Sequence, residues 1–298
     1  MHRFAISLAA IVTLLIGSTV TLSGPSTVAQ EATPTIETEV RVPYGEASGM
    51  PLHLDVLLPP EAAPPRPVVI LFPGWGESRY AMSSPAQELA RAGYVAVTVD
   101  YTLKWPEFID DAQLAVRWVR ANADRYGIDP ERICAHGFSA GGQLAAMLAV
   151  RDTRDTTDPE LAEYSSRVAC AVDLAGTTDA TIPHPDSFEN EVRAEELGGT
   201  LEEVPEAYRD VSPVAWVDER SAPMLVIQGT DDLTNPVEQS RLLVTALQEA
   251  GVEVIYAELV GEDHFSIFDW TLSGPLVFTF LDRHLDPGAD GAVAGQAP

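Results

Sequence analysis

Short apolar runs alternate with amphipathic stretches along most of this chain. The runs lack the polar–apolar alternation of half-exposed strands, as is typical of strands buried on both faces. They predict strands at residues 68–72, 95–99, 133–136, 168–174, 224–228 and 254–258. Apolar positions at helical spacing predict helices at 85–92, 108–126, 237–250 and 275–284. With an antiparallel pair at 36–42 and 52–58, this pattern predicts an α/β fold: a mostly parallel sheet of about eight strands with helices on both faces.

Two polar stretches interrupt this alternation, at residues 151–167 and over most of 177–220. Neither stretch has a sustained helical or strand period, so we expect surface loops and short helices there. In a parallel sheet such segments overhang the strand ends. They are therefore expected to shape any pocket at that edge.

The two ends of the chain differ from its middle. Basic residues, an apolar run and then small polar residues predict a cleaved signal peptide at 1–29. A polar linker at 30–37, a domain at 38–285 and a disordered small-residue tail at 286–298 would follow. The predicted location is secreted or extracytoplasmic. Because the apolar run approaches the length of a bilayer span, an uncleaved membrane anchor is the alternative.

Acidic residues outnumber basic ones 45 to 18, for a formal net charge of −27. A surface of this sign repels phosphate backbones and anionic lipid headgroups. We therefore expect no nucleic-acid partner, and no membrane partner for the mature domain.

Two cysteines, Cys134 and Cys170, fall in successive predicted strands. Export would favour a disulfide, but side-by-side parallel strands seldom provide its geometry. We expect two buried thiols, with a bridge as the alternative. Neither cysteine has the spacing of a metal site, and no cofactor is expected.

The most informative motif is the G-x-S-x-G pentapeptide at residues 137–141, which stands between a predicted strand and an apolar helical run. A serine on such a sharp turn has a strained backbone, and the flanking glycines allow strand and helix to approach it. The turn lifts the Ser139 hydroxyl clear of the sheet at a helix N-terminus, which favours developing negative charge. A Gly-Ser loop that merely caps a helix is the alternative interpretation.

A serine hydroxyl is a weak nucleophile and needs a base, which is usually a histidine. His264 lies in a polar loop just after the last predicted strand, where ligands meet an open α/β sheet. Three other histidines fit less well. We expect His136 to be a packed, hydrogen-bonded core residue, His184 to line the pocket at most, and His284 to cap the last helix.

The base in turn needs an orienting carboxylate, which on this type of scaffold stands between the serine and the histidine in the chain. Asp231 and Asp232 follow the predicted strand 224–228. We predict Asp232 as the acid, because it lies three residues beyond the end of that strand at Gly229. Asp231 is then a loop or capping residue.

Stabilising a tetrahedral oxyanion requires two backbone donors. One is the amide of Ala140, the residue after the serine. The second is expected from the loop after strand 68–72, where Trp75 is the best candidate and Pro73 has no N–H to give.

From about residue 40 to 284 the chain resembles an α/β-hydrolase of the esterase/lipase superfamily, and within it the secreted carboxylesterases grouped with BD-FAE and acetyl-xylan-esterase-like enzymes. The matching segments are 99–103, 111–122, 126–130, 137–142, 189–191, 197–199, 229–232 and 261–264. The resemblance implies an α/β-hydrolase fold and Ser139, Asp232 and His264 as the catalytic residues. Two departures stand out. Pro73 replaces the usual histidine of the oxyanion loop, and Asn235 stands where an aliphatic residue is customary, a change expected to affect packing only.

The sequence therefore predicts an exported, cofactor-independent serine esterase acting on small-molecule or polysaccharide-linked esters. An exported serine peptidase and a non-catalytic binding protein with the same fold are the alternatives. The acyl and alcohol groups of the substrate are left open, because the irregular segment after residue 174 would shape that pocket.

Overall fold

The structure is a computed structural model that describes residues 35–47, 49–60, 63–154 and 161–286. The predicted signal peptide, residues 30–34 of the linker and residues 287–298 of the tail lie outside this part of the chain.

In the described part of the chain, eight strands form one sheet, in the order β1-β2-β4-β3-β5-β6-β7-β8. Strand β1 pairs antiparallel with β2, and β2 with β4, whereas all other neighbours are parallel. The strands are β1 (Glu37–Ala47), β2 (Met50–Leu58), β3 (Arg66–Phe72), β4 (Val95–Val99), β5 (Ile128–Phe138), β6 (Cys170–Leu174), β7 (Met224–Gly229) and β8 (Val254–Leu259). The predicted fold class is confirmed.

Helices cover both faces of this sheet. They are α1 (Ser83–Arg91), α2 (Glu107–Ala121), α3 (Ala123–Tyr126), α4 (Ala140–Val150), α5 (Ser187–Leu197), α6 (Pro205–Asp210), α7 (Val237–Glu249) and α8 (Trp270–Leu285). One buried apolar cluster joins α2, α4 and α7 to one face, and a second joins α1 and α8 to the other. Among the residues the structure describes, no helix combines the length and apolar character of a membrane span.

Two predicted helices differ from the observed ones. The helix predicted at 108–126 is interrupted at Asn122, and its second part ends as expected at Gly127, whose φ is 62°. The last helix begins at Trp270 and not at Pro275, which lies inside it. The side chain of Asp269 accepts a hydrogen bond from the Thr271 amide and so caps the helix. Asp269 therefore marks the beginning of this helix better than Pro275 does.

The expectation of two free thiols is wrong, because Cys134 and Cys170 form a disulfide. The two residues stand directly opposite each other in the pairing of β5 with β6. Their Cα atoms are 4.7 Å apart, within the range that a disulfide spans. The bridge therefore links the strand that leads to Ser139 to its neighbour in the sheet.

Candidate active site

Ser139 occupies the sharp turn between β5 and α4. Its φ of 57° and ψ of −120° lie where non-glycine residues are rare. A Cβ atom at Gly137 would stand 1.9 Å from the carbonyl oxygen of Gly141, and a Cβ at Gly141 would stand 2.1 Å from that of Phe72. Both glycines are thus required for strand and helix to approach each other. The predicted strained turn is present.

The structure brings His264 and Asp232 to this serine. The Nε2 atom of His264 is 3.0 Å from the Oγ of Ser139, and its Nδ1 is 2.7 Å from the Oδ2 of Asp232. Each residue lies just after a strand: Ser139 follows β5, Asp232 follows β7 and His264 follows β8. Asp231 is exposed and accepts a hydrogen bond from the Thr230 hydroxyl, so it lies apart from the imidazole.

Further hydrogen bonds hold the Asp232 carboxylate in one orientation. Its Oδ1 accepts from the amides of Thr234 and Asn235, at 2.8 Å each. Its Oδ2 accepts from the Nε2 of Gln228 at 2.8 Å, as well as facing the imidazole. The Asp232 side chain is fully buried, so water does not compete for these bonds. A carboxylate fixed in this way favours the imidazole tautomer with its proton on Nδ1, which leaves the Nε2 lone pair for the serine.

Asn235 does more than fill space, contrary to the expectation from sequence. Its Nδ2 donates to the carbonyl of Ala175 at 2.7 Å, and its Oδ1 accepts from the hydroxyl of Thr177 at 3.1 Å. These bonds connect the loop that carries Asp232 to the loop after β6. An aliphatic side chain could not make them.

A cavity of about 120 Å³ opens beside Ser139. Trp75 and Trp105 form an aromatic part of its wall, with ring centroids 6.3 Å apart. The segment between β6 and β7 contributes His184, Glu189 and Arg193. The expectation for His184 is thus confirmed. Sequence reasoning missed a lining role for Trp105 and Arg193, because nothing in the pattern around them marks a pocket, and it noted Glu189 only as part of a matching segment.

The loop after β3 places Trp75 on the same cavity as Ala140. The Gly74 amide is already occupied, since it donates to the Oε2 of Glu77 at 3.0 Å. By contrast, the amides of Trp75 and Ala140 donate no hydrogen bond to any residue that the structure describes. Two residues whose backbone amides have no partner among the described residues therefore line the cavity beside the serine. The Tyr101 hydroxyl donates to the carbonyl of Pro73 at 2.8 Å and holds the loop from behind.

The other two candidate histidines, His136 and His284, do not line the cavity. His136 is buried and stacks on Trp270 with ring centroids 5.9 Å apart, so its packing is as expected. The expected hydrogen bonds are missing, since neither ring nitrogen has a partner among the described residues. Burial lowers the pKa of His136 to about 4, so the ring is neutral at physiological pH. His284 lies in the last turn of α8, where its ring packs on Phe280 and its Nε2 makes no hydrogen bond to the described chain.

Comparison with known proteins places this geometry in a family. Residues 54–247 match the BD-FAE family model. Over 225 residues the chain is 34% identical to esterase LipC of Mycobacterium tuberculosis, an alignment that covers 71% of this chain and 56% of LipC. The chain therefore spans little more than half the length of that relative.

Two solved structures are similar over nearly their whole length. A truncated carbohydrate esterase from gut microbiota has a TM-score of 0.75 and 25% identity, covering 85% of this chain and 98% of its own. An esterase from the Planctomycetes species Thermogutta terrifontis has a TM-score of 0.70 and 26% identity, covering 88% and 96%. The family match, the sheet order and these likenesses agree, and the chain is a member of the BD-FAE family with the α/β-hydrolase fold.

Proposed function

We propose that this chain is a serine esterase that hydrolyses carboxylic esters through an acyl-enzyme on Ser139. The observation that carries the proposal is the continuous contact from the serine hydroxyl through His264 to the buried Asp232. This arrangement supplies a nucleophile, a base and an orienting carboxylate. The helix that starts at Ala140 directs its N-terminus to the same point.

In the proposed reaction the Oγ of Ser139 attacks the ester carbonyl while Nε2 of His264 takes the hydroxyl proton. Asp232 accepts the Nδ1–H of the imidazole and stabilises the imidazolium that forms. The imidazolium then gives its proton to the departing alcohol. A water molecule, deprotonated by the same imidazole, attacks the acyl-enzyme and releases the carboxylic acid and the free serine.

We propose the amides of Trp75 and Ala140 as the oxyanion donors. Both residues line the cavity beside the serine, and neither amide has another partner among the described residues. Loss of one such donor typically raises the barrier by about 3 kcal/mol. The proline at position 73 has no N–H and takes no part in this pair, and its carbonyl accepts from the Tyr101 hydroxyl.

The cavity favours a short acyl or alcohol group. Its volume of about 120 Å³ is small, and two indole rings limit it on one side. The Thermogutta terrifontis esterase has been solved with butyrate and after phosphorylation by paraoxon. Both the short acid and the organophosphate are ligands of that protein. They support a short-chain ester substrate here by similarity.

Export is part of the proposal. The signal-like residues 1–29 motivate it, and the Cys134–Cys170 disulfide supports it, because such bridges persist mainly in oxidising compartments. Protein recovered from the culture medium should begin near residue 30. Recovery only from membranes, with residues 1–29 intact, would support the anchor and contradict cleavage.

A Ser139→Ala variant tests the catalytic proposal. It should lose p-nitrophenyl acetate hydrolysis and labelling by a fluorophosphonate probe, with an unchanged circular dichroism spectrum. Ser78→Ala serves as the control, because this serine is exposed and its side chain makes no capping bond. Retained turnover in Ser139→Ala would refute the mechanism. A wild-type protein that is neither labelled nor active would favour the non-catalytic alternative.

A further inference from the structure

Arg193 is a buried cation in the wall of the cavity beside Ser139. It lies on α5, in the segment that connects β6 to β7. Only 5% of its surface is exposed. A guanidinium this well buried is normally paired with a carboxylate.

The hydrogen bonds of Arg193 use one side of the guanidinium only. Its Nη1 donates to the carbonyls of Ala180 at 3.0 Å and Ile182 at 3.5 Å. Its Cζ lies 5.3 Å from the ring centroid of Trp105. Among the described residues, Nε and Nη2 have no acceptor, and no carboxylate lies within ion-pair distance. Neither atom is fully enclosed, since each keeps a small exposed surface.

The free edge of Arg193 has a direct counterpart elsewhere in the protein. Arg241 holds the carboxylate of Glu258 with its Nε and Nη2, at 2.9 and 2.8 Å. This side-on, two-bond arrangement is the geometry that arginine offers to carboxylates. In Arg193, which lines the cavity, the same pair of donors has no carboxylate partner among the described residues.

The electrostatics of the cavity agree with a missing anion. Burial lowers the pKa of Arg193, and the nearby carboxylates of Glu189 and Asp179 oppose this only in part. Glu189 also lines the cavity, but its side chain is exposed, so water screens its charge. The buried cation thus lacks a close counter-charge.

We propose that Arg193 binds a carboxylate carried by the ester substrate, so that the cavity selects short anionic esters. The inference rests on the proposed esterase function and deepens it by naming a substrate class. A carboxylate would accept from Nε and Nη2 and complete the hydrogen bonding of the guanidinium. A neutral hydroxyl would leave the charge uncompensated, which is why the anion is favoured.

The kinetic test uses two pairs of esters that differ in charge. Monoethyl succinate is compared with ethyl 4-methylpentanoate for an anion on the acyl side, and 4-acetoxybenzoate with its methyl ester for the alcohol side. In at least one pair the wild-type protein should have the higher kcat/KM for the anionic ester. Arg193→Gln should lower the ratio of kcat/KM within that pair by roughly 10- to 100-fold, as expected for a charge-assisted hydrogen bond. Arg193→Lys should give a ratio between those of Arg193→Gln and the wild type, since lysine keeps the positive charge but lacks the planar pair of N–H donors.

Glu189→Gln is the matched control, because it removes a charge of opposite sign from the same cavity. It should raise the preference for the anionic ester, whereas Arg193→Gln lowers it. If Arg193 only supports the fold, Arg193→Gln will reduce both esters of a pair by the same factor and leave the ratio unchanged. That result, or equal use of both esters by the wild-type protein in both pairs, would overturn the proposal.

A binding measurement separates this inference from the esterase proposal. Calorimetry of the Ser139→Ala protein should detect binding of monoethyl succinate or of 4-acetoxybenzoate. Adding Arg193→Gln to that protein should abolish the binding. Because no turnover is involved, this arm decides the subsite even if the protein proves inactive on esters. Binding of equal strength with and without Arg193 refutes the subsite.

Discussion

Replacing Asp173 with asparagine should make the protein more stable, and increasingly so as the pH rises. Asp173 lies on β6, is fully buried, and its Oδ1 accepts a hydrogen bond from the Gly176 amide at 2.8 Å. Its Oδ2 has no partner among the described residues. Asparagine has the shape of the protonated acid and keeps the acceptor for Gly176, so the substitution removes the charge and little else.

The magnitude follows from the pKa. Burial raises the pKa of Asp173 from 3.8 to about 7, and the Gly176 hydrogen bond opposes this only partly. Between these values the folded protein holds a proton that the unfolded chain has released, so stability falls as the pH rises. Each pH unit corresponds to about 1.4 kcal/mol, so the two units from pH 5 to pH 7 amount to about 3 kcal/mol. Above the folded pKa the difference becomes constant.

Thermal and urea unfolding of both proteins between pH 5 and pH 8 measure this difference. The free energy of unfolding of Asp173→Asn minus that of the wild type should grow by about 3 kcal/mol and then level off. The corresponding difference in Tm should grow by roughly 6–12 °C. Asp231→Asn is the control, since Asp231 is exposed to water at the end of the next strand. A difference that stays flat across this pH range, or that shrinks with rising pH, would show that the carboxyl is not kept neutral by the fold.

Two further substitutions probe the scaffold of the site. Gly141→Ala should abolish the proposed esterase activity and lower stability, because the new methyl group would stand 2.1 Å from a backbone oxygen at the end of β3; an active variant in a p-nitrophenyl acetate assay would contradict this. Arg79→Met should cost about 3–5 kcal/mol in urea unfolding, since it removes the ion-pair partner of the largely buried Asp55, 2.8 Å from the Arg79 Nε, and leaves only the Arg41 amide, among the described residues, bonded to that carboxylate. Arg91→Met, in an exposed ion pair, should cost about 1 kcal/mol or less, and equal losses in the two variants would refute the burial argument.

Much of the fold could be predicted from local sequence. The strands were predictable because each apolar run has a length that suits a covered parallel strand. Strand β4 matches its predicted limits, and β3 ends where predicted but begins two residues earlier, at Arg66. The convergence of Ser139, Asp232 and His264 was predictable for the same reason. Each follows a predicted strand, and the carboxyl ends of parallel strands meet at one edge of a sheet.

What sequence could not supply depends on contacts between distant segments. The disulfide follows from the register of β5 against β6, which no apolar run reveals. Asp173 reads as part of an ordinary buried strand, and only burial without a partner for Oδ2 makes it unusual. Arg193 looks like a surface residue by pattern, because charged residues surround it in α5. Its position in the cavity wall is set by where that helix folds back over the strands.

The contacting residues of this site and much of its cavity wall come from different connections between the strands. Strand β6 stands between β5, which leads to Ser139, and β7, which leads to Asp232, so two strand spacings of about 4.8 Å each separate those two backbones. The imidazole spans that gap from the loop after β8. The connection from β6 to β7, with α5 and α6, contributes His184 and Arg193 and none of the three contacting residues. Beyond Thr177, which hydrogen-bonds Asn235 in the loop of Asp232, changes in the length or composition of this connection can therefore alter the lining of the cavity while the three contacting residues keep their spacing.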